Sequence, residues 1–121
     1  MITKNFKELK VWLKAHQLVL AVYQVTKSFP SDELFGFTSQ MHRAAASIPA
    51  NIAEGCGRSS DAEFARFLYI SFGSASELEY HILLAHDLGM LNEIDCGKLT
   101  ENVIEINKML SSLIKKVKTN R

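Results

Sequence analysis

Residues 60–89 read SDAEFARFLYISFGSASELEYHILLAHDLG, and this stretch sets the fold. Ser60-Asp61-Ala62-Glu63 has the form of a capping box, a hydroxyl and a carboxylate placed to satisfy the free N–H groups of a helix start. Behind it Phe64, Phe67, Leu68, Ser71, Ala75, Leu78, Ile82 and Leu88 recur at helical spacing, and Gly89 supplies a C-terminal glycine. The spacing predicts one helix of about 28 residues, roughly 42 Å at 1.5 Å per residue. Such a stripe must be buried against other elements.

Upstream, a second helix is predicted after Ser31, with Asp32 and Glu33 in its first turn, where negative charge suits the helix dipole. Its apolar positions are Leu34, Phe37, Met41, Ala44, Ala45, Ile48 and Ile52, and Gly55-Cys56-Gly57 ends it. Pro49 falls inside this pattern. Ala44, Ile48 and Ile52 keep the period across it, so a kink is expected rather than a fresh helix. A first helix is expected from Phe6 to Lys27, capped by Asn5 with Glu8 three residues later. Its expected buried stripe is Leu9, Trp12, Leu13, Val19, Leu20 and Tyr23, and Phe29-Pro30 stops it. A fourth helix follows Asp95 and carries Leu99, Val103, Ile106, Leu110, Leu113 and Val117.

No window alternates apolar and polar residues long enough to read as a strand. Short connections between long helices make antiparallel neighbours the default. The expected fold is therefore all-α: an antiparallel up-down-up-down four-helix bundle, kinked in its second helix at Pro49, with residues 1–121 as a single domain. The chain has 121 residues, 47% of them hydrophobic and 22% charged. That length suits one core, and 6 Gly with 2 Pro argue against collagenous, linker or disordered classes.

Fourteen basic against 13 acidic residues leave a net charge of +1, which excludes a uniformly basic nucleic-acid binder. Cys56 and Cys96 cannot build a disulfide framework and form no Cys-x-x-Cys pair. The lysine-studded N-terminus lacks the apolar core of a signal peptide. No apolar run reaches the 18 residues of a membrane span. The expectation is a cytoplasmic protein with reduced thiols and no membrane partner.

Four-helix bundles often hold metals, yet no Glu-x-x-His occurs here. Glu77 and His81 share a helix face but stand alone. His81 and His86, five apart, point about 140° apart around a helix. His16, His42, His81 and His86 are expected on the surface or in partly buried polar packing, and Cys56 as a small residue in a tight turn. No catalytic residue, metal or cofactor is expected, and the chain reads as not an enzyme.

Two features rise above this background. Gln40, Arg43, Ser47, Asn51 and Glu54 recur at intervals of three or four and line one face of the second helix. The stripe has no lysine and one acid, and Ala45, Ala46, Ala50 and Ala53 flank it. That composition suits a hydrogen-bonded contact between helices or between subunits, with an ordinary solvated face as the alternative. Ser74 and Glu77, beside Gly73, offer a counterpart on the third helix. The second feature is charge segregation. In the expected topology Lys4, Lys7, Lys10, Lys14, Arg58, Lys115, Lys116, Lys118 and Arg121 share one end with Glu8, Glu54, Asp61 and Glu63. The other end holds Asp32, Glu33, Asp87, Glu93, Asp95 and Glu101 against Lys27 and Lys98. Lys7, Lys10 and Lys14 lie on one face of the first helix. A basic end of this kind attracts phosphates. No recognition motif and no aromatic platform among the lysines is apparent, so sequence-specific reading is not expected.

The chain resembles a known family. The residues that carry the likeness are Phe6 with Leu9-Lys10-Val11-Trp12, Phe29-Pro30 with Glu33, and Gln40 with Arg43-Ala44-Ala45. They continue through Ser47-Ile48-Pro49-Ala50-Asn51-Ile52-Ala53-Glu54-Gly55 and Gly73-Ser74 with Glu77-Leu78. They look like the landmarks of the four-helix bundle proteins encoded in 23S rRNA intervening sequences, the S23 family, and the chain is similar to the accessory proteins of diversity-generating retroelements. The resemblance spans almost the whole chain. It implies a ring-shaped homopentamer with a non-enzymatic role. For the retroelement relatives it implies binding to RNA or DNA and to a reverse transcriptase. Those relatives are markedly basic, and this chain departs from them in its near-neutral charge. A pentamer would nonetheless gather five basic ends.

Two functions compete on this reading. In one, the oligomeric bundle binds RNA, DNA or a nucleoprotein through Lys4, Lys7, Lys10, Lys14, Arg58, Lys115, Lys116 and Lys118. In the other it is a protein–protein interaction scaffold. The candidate subunit contact is Gln40, Arg43, Ser47, Asn51, Glu54, Ser74 and Glu77.

Overall fold

The capped third helix forms as its sequence dictates. In the computed structural model, which describes residues 5–119, it is α3, Asp61–Asp87, and the Ser60 hydroxyl accepts the Glu63 N–H at 3.2 Å. Gly89 follows with φ 79°, the left-handed conformation that closes a helix C-terminus at little cost for glycine. The other helices are α1, Lys10–Val25; α2, Ser39–Cys56; and α4, Glu93–Thr119. Among the described residues there is no strand.

Each helix packs on its neighbour in sequence, and α1 also packs on α4, closing the bundle. Cross-helix pairs run in opposite senses. Ser47 meets Ser74 while Gly55 faces Phe67. Ser76 meets Asn107 while Tyr69 meets Lys118. Leu9 shares a cleft with Leu113, and Lys14 pairs with Glu105. The start of α1, the α2–α3 turn and the end of α4 therefore meet at one pole. The core between the helices holds Leu18, Met41, Ile48, Ile52, Leu68, Leu78, Ile82, Ile106 and Leu110, all fully buried. Each such side chain contributes roughly 1.5–3 kcal/mol by leaving water.

Several local expectations are corrected. The buried stripe of α1 is Val11, Ala15, Leu18 and Val22, whereas Leu13, Leu20 and Tyr23 are 48%, 58% and 46% exposed. Both sets obey the helical period. The helix turns its smaller residues inward, where the neighbouring helices come close. Residues Phe6–Glu8 form a 3-10 turn before α1 rather than its first turn, and the Asn5 side chain accepts the Lys7 N–H at 3.1 Å. The region after Pro30 is a 3-10 turn, Ser31–Glu33, then a π-helical turn, Leu34–Thr38, and Leu34 is half exposed. As expected, no fresh helix begins at Pro49: the α-helical run of α2 continues through this residue, which is buried. The fourth helix starts two residues before Asp95, where the Asn92 side chain accepts the Asp95 N–H at 2.7 Å.

Candidate functional site

The polar stripe of α2 turns toward α3. The Ser47 and Ser74 hydroxyl oxygens are 2.8 Å apart. The Asn51 amide donates to the Ser47 carbonyl at 2.8 Å and to its hydroxyl at 2.9 Å. One turn deeper, Ser71 donates to the Ile48 carbonyl at 2.9 Å. These bonds tie two helices together within the chain, and an interhelix contact is the role the structure gives Ser47, Asn51 and Ser74. Glu54 lies apart from them, in an exposed pair with Arg58 at 2.7 Å. Gln40, Arg43 and Glu77, with Ala44, Ser47 and Ser74, line a polar cleft of about 480 Å³. Arg43 and Gln40 reach no hydrogen-bond or ion-pair partner among the described residues, and Glu77 is 3.7 Å from His81 Nε2.

At the basic pole, Lys7, Lys10, Lys14, Arg58, Lys115, Lys116 and Lys118 are all exposed. Lys4 and Arg121 lie outside the described residues. Two of the cations are neutralised locally: Lys14 pairs with Glu105 at 3.0 Å and Arg58 with Glu54. Among the described residues Lys10, Lys115 and Lys116 have no carboxylate partner, and neither does Lys108, which stands beside Lys10 and Lys116 at a cleft between α1 and α4. Lys108 was missed in the sequence because it lies mid-helix. The signal was its seven-residue spacing from Lys115, which places both on one face of α4.

Individual aromatic rings lie beside several of the basic residues. Lys7 Nζ lies 5.9 Å from the Phe6 ring centroid, and Phe6 sets its edge on Trp12, which stacks on His16. Lys118 Nζ lies 5.6 Å over the half-exposed Tyr69 ring. Phe67 sits between Arg58 and Arg66, both within 4.7 Å of its centroid. Arg66 in turn donates to Glu63 at 3.0 Å and holds that carboxyl below its ordinary range. Lys7 and Arg66 adjoin their rings in sequence, whereas only the packing of the helices brings Lys118 to Tyr69 and Arg58 to Phe67.

His42 stacks on Tyr23, and its Nε2 is 2.8 Å from the Thr26 hydroxyl. The same hydroxyl also lies 3.1 Å from the Tyr23 carbonyl, and when its proton goes there His42 Nε2 donates to it. Burial pushes the His42 pKa down. His81 is buried against Phe37, and its Nδ1 has no hydrogen-bond partner among the described residues. Cys56 is buried at the end of α2, and burial pushes its thiol up, toward the unreactive protonated form. Among the described residues no three His, Cys, Asp or Glu side chains gather where they could hold a metal ion. Among the same residues no helix is long and apolar enough to cross a membrane.

Residues 7–112 match the family model of the 23S rRNA-intervening sequence protein. Among solved structures, a protein of unknown function from the S23 ribosomal protein family of Bacteroides thetaiotaomicron VPI-5482 is 28% identical. That likeness covers 87% of this chain and 95% of the other, with a TM-score of 0.80. The chain has no match among curated proteins.

Proposed function

We propose that this chain, which belongs to the 23S rRNA-intervening sequence protein family, is a non-catalytic, self-associating bundle that binds nucleic acid through its basic pole. The observation that carries the reading is the group Lys10, Lys108, Lys115 and Lys116, four exposed cations without a carboxylate partner among the described residues. Phosphates neutralise such cations and release counterions, so affinity is high at low salt and falls steeply as salt rises. The half-exposed Tyr69 ring beside Lys118 favours a single strand, whose bases can stack on an exposed aromatic face. The unpartnered Arg43 and Gln40 in the α2–α3 cleft support a polar contact between copies.

A mobility-shift titration at low salt tests the reading, with single-stranded RNA, structured RNA and duplex DNA as probes. A shift strongest with the single strand, and lost in Lys10→Glu/Lys115→Glu/Lys116→Glu, is the expected result. No shift with any probe removes the proposal.

A second reading, a scaffold for another protein, has its own observation. Tyr80 and Leu83 are 58% and 52% exposed and line one cleft with Cys96, and an exposed apolar cleft suits a protein partner. Pull-down of the same protein by wild type and by the triple lysine variant would favour it.

A further inference from the structure

Complementary features stand at opposite ends of the bundle. At the basic pole, Leu9, Met109 and Leu113 line an apolar cleft of about 410 Å³ between α1 and α4, with Lys10, Lys108 and Lys116 around it. At the acidic end, Phe35 is 93% exposed, more than any other large hydrophobic side chain described. It sits in the π-helical turn Leu34–Thr38, and such turns recur at functional positions. The turn is anchored through Phe37, which stacks on Phe29 and meets the edge of His81. Phe35 is held outward beside the half-exposed Leu34, two residues after the partly exposed Glu33 and three after the exposed Asp32.

We propose that Phe35 of one copy seats in the lysine-rimmed cleft of a second copy, with its Asp32 and Glu33 facing Lys10, Lys108 and Lys116. Charge selects this occupant. An aromatic side chain that follows two carboxylates is attracted to an apolar cleft ringed by cations and repelled by one ringed by acids. The same chain carries both halves. Phe35 and the cleft are different surfaces, so each copy gives Phe35 to one neighbour and accepts Phe35 from another. Such a heterologous contact closes a ring or extends a chain of copies. The contact deepens the self-association proposed above and rests on it. It does not need nucleic acid, and a polyanion competes for Lys10 and Lys116.

Size-exclusion chromatography with light scattering on the full chain tests the contact. The wild type is expected well above the 13.6 kDa of one copy at low salt, with its mass falling as salt rises. Phe35→Asp and Lys108→Glu/Lys116→Glu are each expected at the mass of one copy. Their equimolar mixture is expected at twice that mass, because one intact Phe35 then meets one intact cleft. All the substituted side chains are exposed, and far-UV circular dichroism should show unchanged helix content. A Phe35→Asp variant that assembles like wild type overturns this contact alone, as does a mixture that stays at one copy while the wild type assembles. A wild type that stays at one copy overturns both the contact and the self-association.

Discussion

A Cβ on Gly55 would stand 2.9 Å from the Cβ of Phe67, closer than real side chains approach. The same atom would lie 3.0 Å from Phe64 Cδ1. The end of α2 is therefore laid on the start of α3 with no room for a methyl group. Nearby, Ser71, Ser74 and Ala75 face Ala44, Ser47 and Ile48 through short hydrogen bonds and small side chains. This close approach fixes the α2–α3 hairpin whose turn carries Arg58 into the basic pole.

Gly55→Ala is expected to destabilise the protein by about 1–3 kcal/mol, the usual cost of overpacking. Gly73→Ala should do the opposite. A Cβ there meets nothing within 4 Å, and alanine in an exposed helix interior gains about 0.5–1 kcal/mol over glycine. Urea denaturation of both variants checks the pair, and equal effects would contradict the close approach at Gly55.

The corrected face of α1 gives a second contrast. Leu18→Ala should cost about 2–5 kcal/mol, because Leu18 is fully buried and its loss leaves a cavity. Leu20→Ala should change stability by no more than about 0.5 kcal/mol. Thermal unfolding followed by circular dichroism distinguishes the two. A larger loss at Leu20 would restore the stripe expected from the sequence.

The reasons for success and failure differ by helix. In α3 the Ser60 cap, the helical period and Gly89 all point to the same boundaries, and the structure follows them. In α1 apolar residues occupy two faces, and period alone cannot choose between them. The choice falls to the neighbouring helices, which pack on Val11 and Ala15 and leave Leu13 and Leu20 outside. The π-helical turn at Leu34–Thr38 has no sequence signature, so the exposure of Phe35 was not legible. The stripe of α2 was legible as a hydrogen-bonded face because Ser47 and Asn51 are short, uncharged and in register. The basic pole was legible in outline from the topology. The pairing of Lys14 and the position of Lys108 required the packing of α1 on α4.

His42 gives a pH dependence. Burial lowers its folded-state pKa below the ordinary 6.5, so between those values the unfolded chain binds a proton that the folded chain refuses. Stability should therefore be independent of His42 above about pH 6.5 and fall as pH drops through that value. His42→Gln keeps a donor for Thr26 and cannot charge. Urea midpoints measured from pH 7.5 to about pH 5 should fall less steeply in the variant than in the wild type. Parallel curves would show that His42 does not contribute.

The salt dependence of affinity tests the central claim most directly. Anisotropy of a labelled single-stranded RNA should report a binding constant whose logarithm falls linearly with the logarithm of salt concentration. Each phosphate contact contributes about 0.7 to that slope for single strands. Lys10→Glu/Lys115→Glu/Lys116→Glu should flatten the slope by about 2 and weaken binding at low salt. An affinity indifferent to salt, or a slope the three reversals leave unchanged, would contradict binding through this pole.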